Sequence, residues 1–449
     1  MKEQIEHIQD LLEQNQLDDI KSFLESIHPA DIADLLEQLP REKKDDVFNL
    51  LGIKEASEVI LELDSESREA VLDQATEESI QALTGEMESD DAADFISEFP
   101  EPVQEKVLAN IPIAESEKVK KLLSYPETSA GGIMQTELAR CFEDNTVGQA
   151  VNLIRILAKD KNVEDVHNVF VVNYTNEFVG LLPIRKLVLH PKETLIKDLM
   201  DPKPVSVNVL EDQEEVARIF QRYDFVSLPV VDSDGILQGR ILIDDVVDVI
   251  EEEASEDMMK IAGTHNEELL FTKSVFRVAQ FRLPWLISSV LGGLITGILI
   301  WAFRVTLEET ITLIAFIPVI MGVGGNVATQ SSAIVVRGLS TGRINIEMLN
   351  QFILKEIAIG LILGVFCAGI AGSLASFWHD NMALGMVVGV SMFLAIVAAG
   401  LMGTLIPLFF EKIKVDPAIA AGPIVLTIND ISGLLIFLTI STAWLDLLR

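Results

Sequence analysis

Four stretches beyond residue 280 run long and uncharged: Pro284–Phe303, Thr310–Val336, Ile357–Trp378 and Asn381–Phe410. A fifth, Pro417–Leu445, carries only Asp430 before its end. The first spans 20 residues, about 30 Å as a helix, the thickness of a hydrocarbon core. Any one of these stretches would fit a buried soluble helix, but five in succession call for a bilayer. The fold expected here is therefore five transmembrane helices over residues 273–449.

Charge reinforces this division. Residues 273–449 hold 10 Lys/Arg against 9 Asp/Glu, so of the chain's 34 basic and 69 acidic residues the first 272 keep 24 and 60. All of the net −35 thus lies outside the apolar half, which is itself balanced to within one charge, and the mean hydropathy of +0.34 reflects the spans. So acidic a half argues against nucleic acid as a partner, since phosphates recruit Lys and Arg, and favours cations. Cys141 and Cys367 fall in different halves, so no disulfide framework is expected and a reducing compartment suits the acidic half. The first residues lack an apolar signal region, so no cleaved signal peptide is expected.

Basic residues set the expected orientation. Lys273, Arg277 and Arg282 precede the first span, Arg337, Arg343 and Lys355 flank the second connection, and Lys412 and Lys414 lie in the fourth. The other side has Arg304 and the terminal Arg449. This places residues 1–282 in the cytoplasm and the C-terminus outside, in a multi-pass cell-membrane protein surrounded by lipid.

Within the spans, Asp430 stands out. An unpaired carboxylate in hydrocarbon costs at least about 2.5–3.5 kcal/mol, so it must face a partner or a hydrated path. The second span carries Gly322, Gly324 and Gly325 beside Asn326, Thr329 and Gln330: glycines that permit close helix approach, and side chains that supply oxygens. Pro407, Asp416-Pro417 and Pro423 are expected to interrupt the last two spans and free carbonyls. Asp416 falls at the cytoplasmic mouth, and Glu308 and Glu309 at the external one.

The acidic half reads as three parts. Residues 1–130 are helical, with Ala33-Asp-Leu-Leu-Glu-Gln-Leu-Pro40 recurring as Ala93-Asp-Phe-Ile-Ser-Glu-Phe-Pro100, which points to stacked helical repeats. Residues 131–200 and 201–249 are two copies of a strand–helix unit. In the second, Met200–Val209, Val226–Val231 and Gly239–Ile243 read as strands, and Asp212–Tyr223 and Asp244–Glu253 as helices. The first copy matches with Thr146–Ala158, Asn168–Val172, Phe178–Leu182 and Ile184–Leu189. Residues 250–272 contain an acidic amphipathic connecting helix.

This assembly resembles the MgtE family of bacterial magnesium channels: helical repeats, a cystathionine-β-synthase-type (CBS) pair, a linker helix and five spans. The membrane motifs are Gly324-Gly-Asn-Val-Ala-Thr-Gln-Ser-Ser332, Asp416-Pro-Ala, and Pro423 with Asn429-Asp430 and Gly433. The resemblance implies a homodimer with the ion path on its two-fold axis, and a Mg²⁺ channel or transporter rather than an enzyme. It implies a path at Asp430, Asn326, Leu426, Thr427, Asn429 and Gly433, with Asp416 at its mouth. It further implies cytosolic regulatory Mg²⁺ ligands among Asp90, Asp94, Asp212, Glu214, Asp224, Asp245, Asp248, Glu253, Glu256 and Asp257, whose occupation closes the path.

Two departures bear on this. CBS pairs that bind adenine nucleotides usually place a hydroxyl three residues after the strand glycine, where this chain has Leu242 after Gly239 and Pro183 after Gly180. ATP is therefore not predicted, although the module allows it. Val327-Ala328 stands where the family often has a second glycine. Rival readings are a transporter of Co²⁺, Mn²⁺ or Ni²⁺ and a non-conducting Mg²⁺ sensor. A membrane metalloprotease would need His-Glu-x-x-His, which does not occur.

Overall fold

The computed structural model describes residues 8, 11, 12, 14, 16–73, 75–159, 166–202, 204–264, 275–344 and 349–448. Two compact units divide the chain, residues 1–251 and 252–449. Lys273, Arg449 and the end of the expected connecting segment lie outside the described residues, as does the side chain of Arg277.

The first unit begins with short helices. Proline starts the key ones: Pro29 opens α1 (Pro29–Glu37), and Pro40 immediately precedes α2 (Arg41–Phe48). The repeat follows as α3 (Ser89–Ser97), Pro100 and α4 (Glu101–Asn110). Equivalent positions are buried in both copies: Ala33, Leu35 and Leu36 match Ala93, Phe95 and Ile96, and Val47 matches Val107. Each helix is too short to be stable alone, so packing of its apolar stripe holds it.

Two three-stranded sheets follow, built alike. In the first, β1 (Arg140–Phe142) lies parallel to β2 (Asn168–Val172) after a crossover through α5 (Val147–Lys159). Strand β3 (Phe178–Pro183) then pairs antiparallel with β2, and α6 (Ile184–Leu189) follows. The second repeats this with β4 (Val207–Asn208), α7 (Gln213–Tyr223), β5 (Ser227–Val231), β6 (Leu237–Leu242) and α8 (Ile243–Ala262). Even the register break recurs, at Val171/Val172 and Val230/Val231. The hairpin turns need a left-handed residue, supplied by Asn176 (φ 63°) and Gly235 (φ 77°). The helical repeats share one core with the second sheet copy, through Val216, Phe220, Leu228 and Ile241. A separate cluster holds the first copy, around Val169, Val171, Leu182 and Ile196.

Two expectations change. Strand β4 is only Val207–Asn208, since Pro202 and Pro204 cannot donate to a ladder. The last helix of the second copy and the acidic linker are one helix, α8, because no Pro or Gly lies between Ile243 and Ala262. The division between the units falls within it.

Among the described residues the second unit contains five helices long and apolar enough to cross a membrane: Val278–Ala302, Ile311–Ser340, Asn350–His379, Met382–Lys412 and Pro417–Ala443. Their main bodies are α9 (Val275–Ala302), α10 (Ile317–Ser340), α11 (Leu349–His379), α12 (Met382–Lys412) and, after the short α13 (Pro417–Ala421), α14 (Pro423–Ala443). Pro407 does not interrupt α12, and Pro284 does not interrupt α9; surrounding spans tolerate proline in a membrane helix. The interruption is at Gly422 (φ −91°, ψ −116°) between α13 and α14. The third span starts before Ile357, which brings Lys355 and Glu356 into the helix. Asp430 is therefore not the sole acid carried by these five apolar helices.

Candidate functional site

The membrane site is built where α10 meets α14. Asn429 is buried (2 % exposed) with its carboxamide against Gly324, where a Cβ would stand 3.1 Å from Oδ1. Gly325 meets Leu426, whose Cδ1 would lie 2.8 Å from a Cβ there. These two glycines thus serve close helix approach, and the approach brings Asn326 and Asp430 onto neighbouring helices. Asn429 Nδ2 donates to Asp430 Oδ1 at 3.5 Å, a long bond that orients the half-buried carboxylate. Asn326 is exposed, while Thr427 packs against Gly292 of α9. Gly433 is buried, yet a Cβ there would meet nothing within 4 Å, so no packing contact demands glycine.

Asp416, just before α13, is tied to the end of α8. Asp416 caps α13, its Oδ1 accepting from Ala418 N at 2.8 Å, and its Oδ2 accepts from Lys260 Nζ at 2.6 Å. Lys260 also reaches Glu256 Oε1 at 2.6 Å. Burial lowers the affinity of the Lys260 ammonium for its proton, but these two carboxylates outweigh that and hold its pKa above the ordinary range. Asp257 beside it is raised, by burial first, while its hydrogen bond to Ser340 opposes the rise. The backbone comes equally close: a Cβ on Gly422 would fall 2.5 Å from Ile261 O, and Gly263 (φ +76°) lies against Pro423.

A different arrangement of acids occupies the first unit. Asp90, near the start of α3, is 5 % exposed and its Oδ1 is buried without a hydrogen-bond partner. Burial and the carboxylate of Asp245 push its pKa well above the usual range. Asp245 rises to about 7, through burial first and then Asp244, and Asp91 to about 6, through burial and again Asp244. Glu88 rises to about 7 by burial, against the pull of Arg240. Asp248 is raised too, by burial and then Glu251. Glu137 is the exception: burial raises it, but hydrogen bonds from Lys118 (2.8 Å) and Ser89 (2.6 Å) prevail and leave it lowered. A cavity of about 480 Å³ reaches this region, lined by Glu88, Asp91, Lys118 and Glu137 among others.

Oxygen-only carboxylates suit a hard cation, and a buried orphan oxygen is what one would neutralise. No three of these groups converge as ligands of one ion among the described residues.

Of the sequence-derived residues, the structure brings together Asp90, Asp245 and Asp248 in the first unit, and Glu256, Asp257 and Asp416 in the second. Asp94 is exposed on the following turn of α3, and its place near Asp90 is taken by Asp91. Asp212 caps α7, accepting from Glu214 N at 2.9 Å, and Glu214 pairs with Arg218 at 2.9 Å. Asp224 is exposed in left-handed conformation at the end of α7 (φ 52°). Glu253 is half-buried on α8. Sequence reasoning missed Glu88, Asp91, Asp244, Lys260 and Glu356. The run Glu88-Ser-Asp-Asp91 at a helix start was the readable signal for the first two.

Comparisons with known proteins agree with this architecture. The MgtE divalent cation transporter family matches residues 317–440, the MgtE intracellular N domain residues 27–128, and the CBS domain residues 196–252. The chain is 34 % identical over 395 residues to the magnesium transporter MgtE of Bacillus subtilis, covering 88 % of this chain and 87 % of that one. It is 35 % identical to the magnesium transporter MgtE of Enterococcus faecalis, covering 74 % and 72 %. Among solved structures, the cytosolic domain of the Mg²⁺ channel MgtE in complex with ATP is 32 % identical, with TM-score 0.51, covering 54 % of this chain and 98 % of that one. The chain belongs to the MgtE family of divalent cation transporters.

Proposed function

We propose that this chain is a Mg²⁺-selective channel whose path is closed by cytosolic Mg²⁺ at the acidic unit. The observation that carries the transport reading is the α10–α14 contact, where Gly324 and Gly325 admit Asn429 and Leu426 and set Asp430 beside an amide donor. Two copies about a two-fold axis would present two Asp430 carboxylates to one path, with Asn326 and the Leu426 carbonyl nearby. Mg²⁺ gives up its waters reluctantly, so these oxygens recognise a hydrated ion through outer-shell hydrogen bonds. Residues 1–282 face the cytosol and the C-terminus faces outward, as the basic flanks require.

Closure follows from uncompensated charge. Asp90, Asp91, Asp245 and Asp248 repel one another without a cation, and Mg²⁺ at these carboxylates favours the state that holds them close. Helix α8 carries Asp245 and Asp248 in its first turns and Lys260 in its last, so one helix joins the sensing acids to the Asp416 mouth. A CBS-type nucleotide role has less support, because Lys186 of the first copy is turned to Leu199 O (2.5 Å) and Asp245 of the second binds Leu242 N (3.2 Å). The relative with bound ATP is the reason to test it.

Uptake into proteoliposomes tests the reading. Wild type should pass Mg²⁺, less so with high internal Mg²⁺, and Asp430→Ala should abolish uptake or its selectivity. Full Mg²⁺-selective flux in Asp430→Ala would sink the proposal.

A further inference from the structure

The third span contains a carboxylate that the ion path does not use. Glu356 lies two turns into α11, half-buried, and its Oε2 accepts a hydrogen bond from Ser331 Oγ of α10 at 2.9 Å. Ser331 is 6 % exposed. The space between them is kept by α12: a Cβ on Gly400 would stand 3.4 Å from Glu356 Oε2 and 3.8 Å from Ser331 Oγ. One turn further along α12, Gly403 lies against the carbonyl of Ala328, and a Cβ there would come 3.0 Å from the Ser331 Cβ. Three helices therefore meet at one polar bond, in a seam otherwise formed by small residues.

The position of that bond along α10 gives it meaning. Helix α10 is gripped at two levels. At Gly324–Gly325 the contact is with Asn429 and Leu426 of α14, and at Ala328–Ser331 it is with α12 and Glu356. Glycine contacts permit close approach but resist rotation and sliding weakly, because no side chain interlocks. A hydrogen bond to a carboxylate is directional and stronger than a neutral one. Asn326 lies between the two levels, exposed and, at about 100° per residue, turned away from both. Its location therefore depends on how α10 is rotated.

We infer that Glu356 is a positioning residue for the ion path: by holding Ser331 it fixes the rotation and depth of α10, and with them the place of Asn326 relative to Asp430. The inference rests on the transport reading above.

The test is Mg²⁺ uptake by the reconstituted full chain, with Co²⁺ as competitor, in wild type, Glu356→Ala, Glu356→Gln, Ser331→Ala and the Glu356→Ala/Ser331→Ala double variant. Glu356→Ala should lower the preference for Mg²⁺ over Co²⁺ about tenfold, as misplacement of a site by a fraction of an ångström does. Glu356→Gln keeps an acceptor for Ser331 and should restore most of that preference. Ser331→Ala should act in the same direction as Glu356→Ala, and the double variant should be no worse than the poorer single one. Should Glu356→Ala fail to insert, Ser331→Ala, which removes one hydroxyl, still decides. Unchanged preference in Ser331→Ala, additive losses in the double variant, or a Gln variant as impaired as Ala would each overturn the inference. A wild-type chain that carries no Mg²⁺ would instead count against the proposed function.

Discussion

Two groups of acids lie at opposite ends of α8, and they are finished differently. At its last turns Glu256 and Asp416 share the ammonium of Lys260, and Asp257 has Ser340. At its first turns Asp245 faces Asp90, Asp91 and Asp244, and one buried oxygen of Asp90 has no donor at all. Carboxylates with a protein counter-charge are complete structures, whereas carboxylates held together without one store repulsion that a cation or a proton relieves. Under the proposed function, the difference separates a latch from a sensor within one helix.

The comparison can be broken most directly at the uncompensated end. Asp90→Asn with Asp245→Asn should drive the ratio of flux at low to high internal Mg²⁺ toward one, since neither ligand nor repulsion remains. A ratio equal to that of wild type would show that closure is sensed elsewhere. The compensated end should respond in the same direction, but through loss of its cation rather than of its acids. Lys260→Ala leaves Glu256 and Asp416 facing each other, so flux at high internal Mg²⁺ should rise severalfold, while Lys260→Arg stays near wild type.

Acidity sharpens the contrast further. Asp91, Asp245 and Glu88 hold protons up to pH of about 6 to 7 in the folded chain, above their unfolded values. The native state thus binds more protons than the unfolded state in this range, and stability in chelator should fall as pH rises from about 4 to 7. Differential scanning of the detergent-purified chain should show that fall, and Mg²⁺ should offset more of it at pH 8 than at pH 5. The smallest effect is expected at Glu214, whose pair with Arg218 is a half-exposed i,i+4 contact on one helix. Glu214→Ala should shift stability by no more than about 0.5 kcal/mol and leave flux unchanged.

Much of this architecture was readable because its signals are periodic. Uncharged length marked the five spans, and a fixed offset between Ala33 and Ala93 exposed the helical repeat. The misreadings have physical causes. Bounding a span by its first charge excludes any charge inside it, and so the third span reads as starting at Ile357, with Glu356 left outside it. Asp94 and Asp91 sit on the same helix, and only the packing of α3 decides which one turns inward. The extent of α8 was obscured because its acidic stretch reads equally as a helix surface or as a connecting segment. Charge pairs such as Lys260–Asp416 join residues 156 apart, a separation no local pattern reports.

The division of the first unit's cores has a consequence for how that unit comes apart. The helical repeats and the second sheet copy bury their apolar side chains together, whereas the first copy has a cluster largely its own, joined to the second only where Phe170 and Val172 meet Leu237 among the described residues. Cooperative units of exchange follow shared cores rather than chain order. Amide exchange should therefore open strands β1, β2 and β3 more readily than the helical repeats, whose protection should be lost together with that of β5, β6 and α7, on the far side of the first copy in the chain.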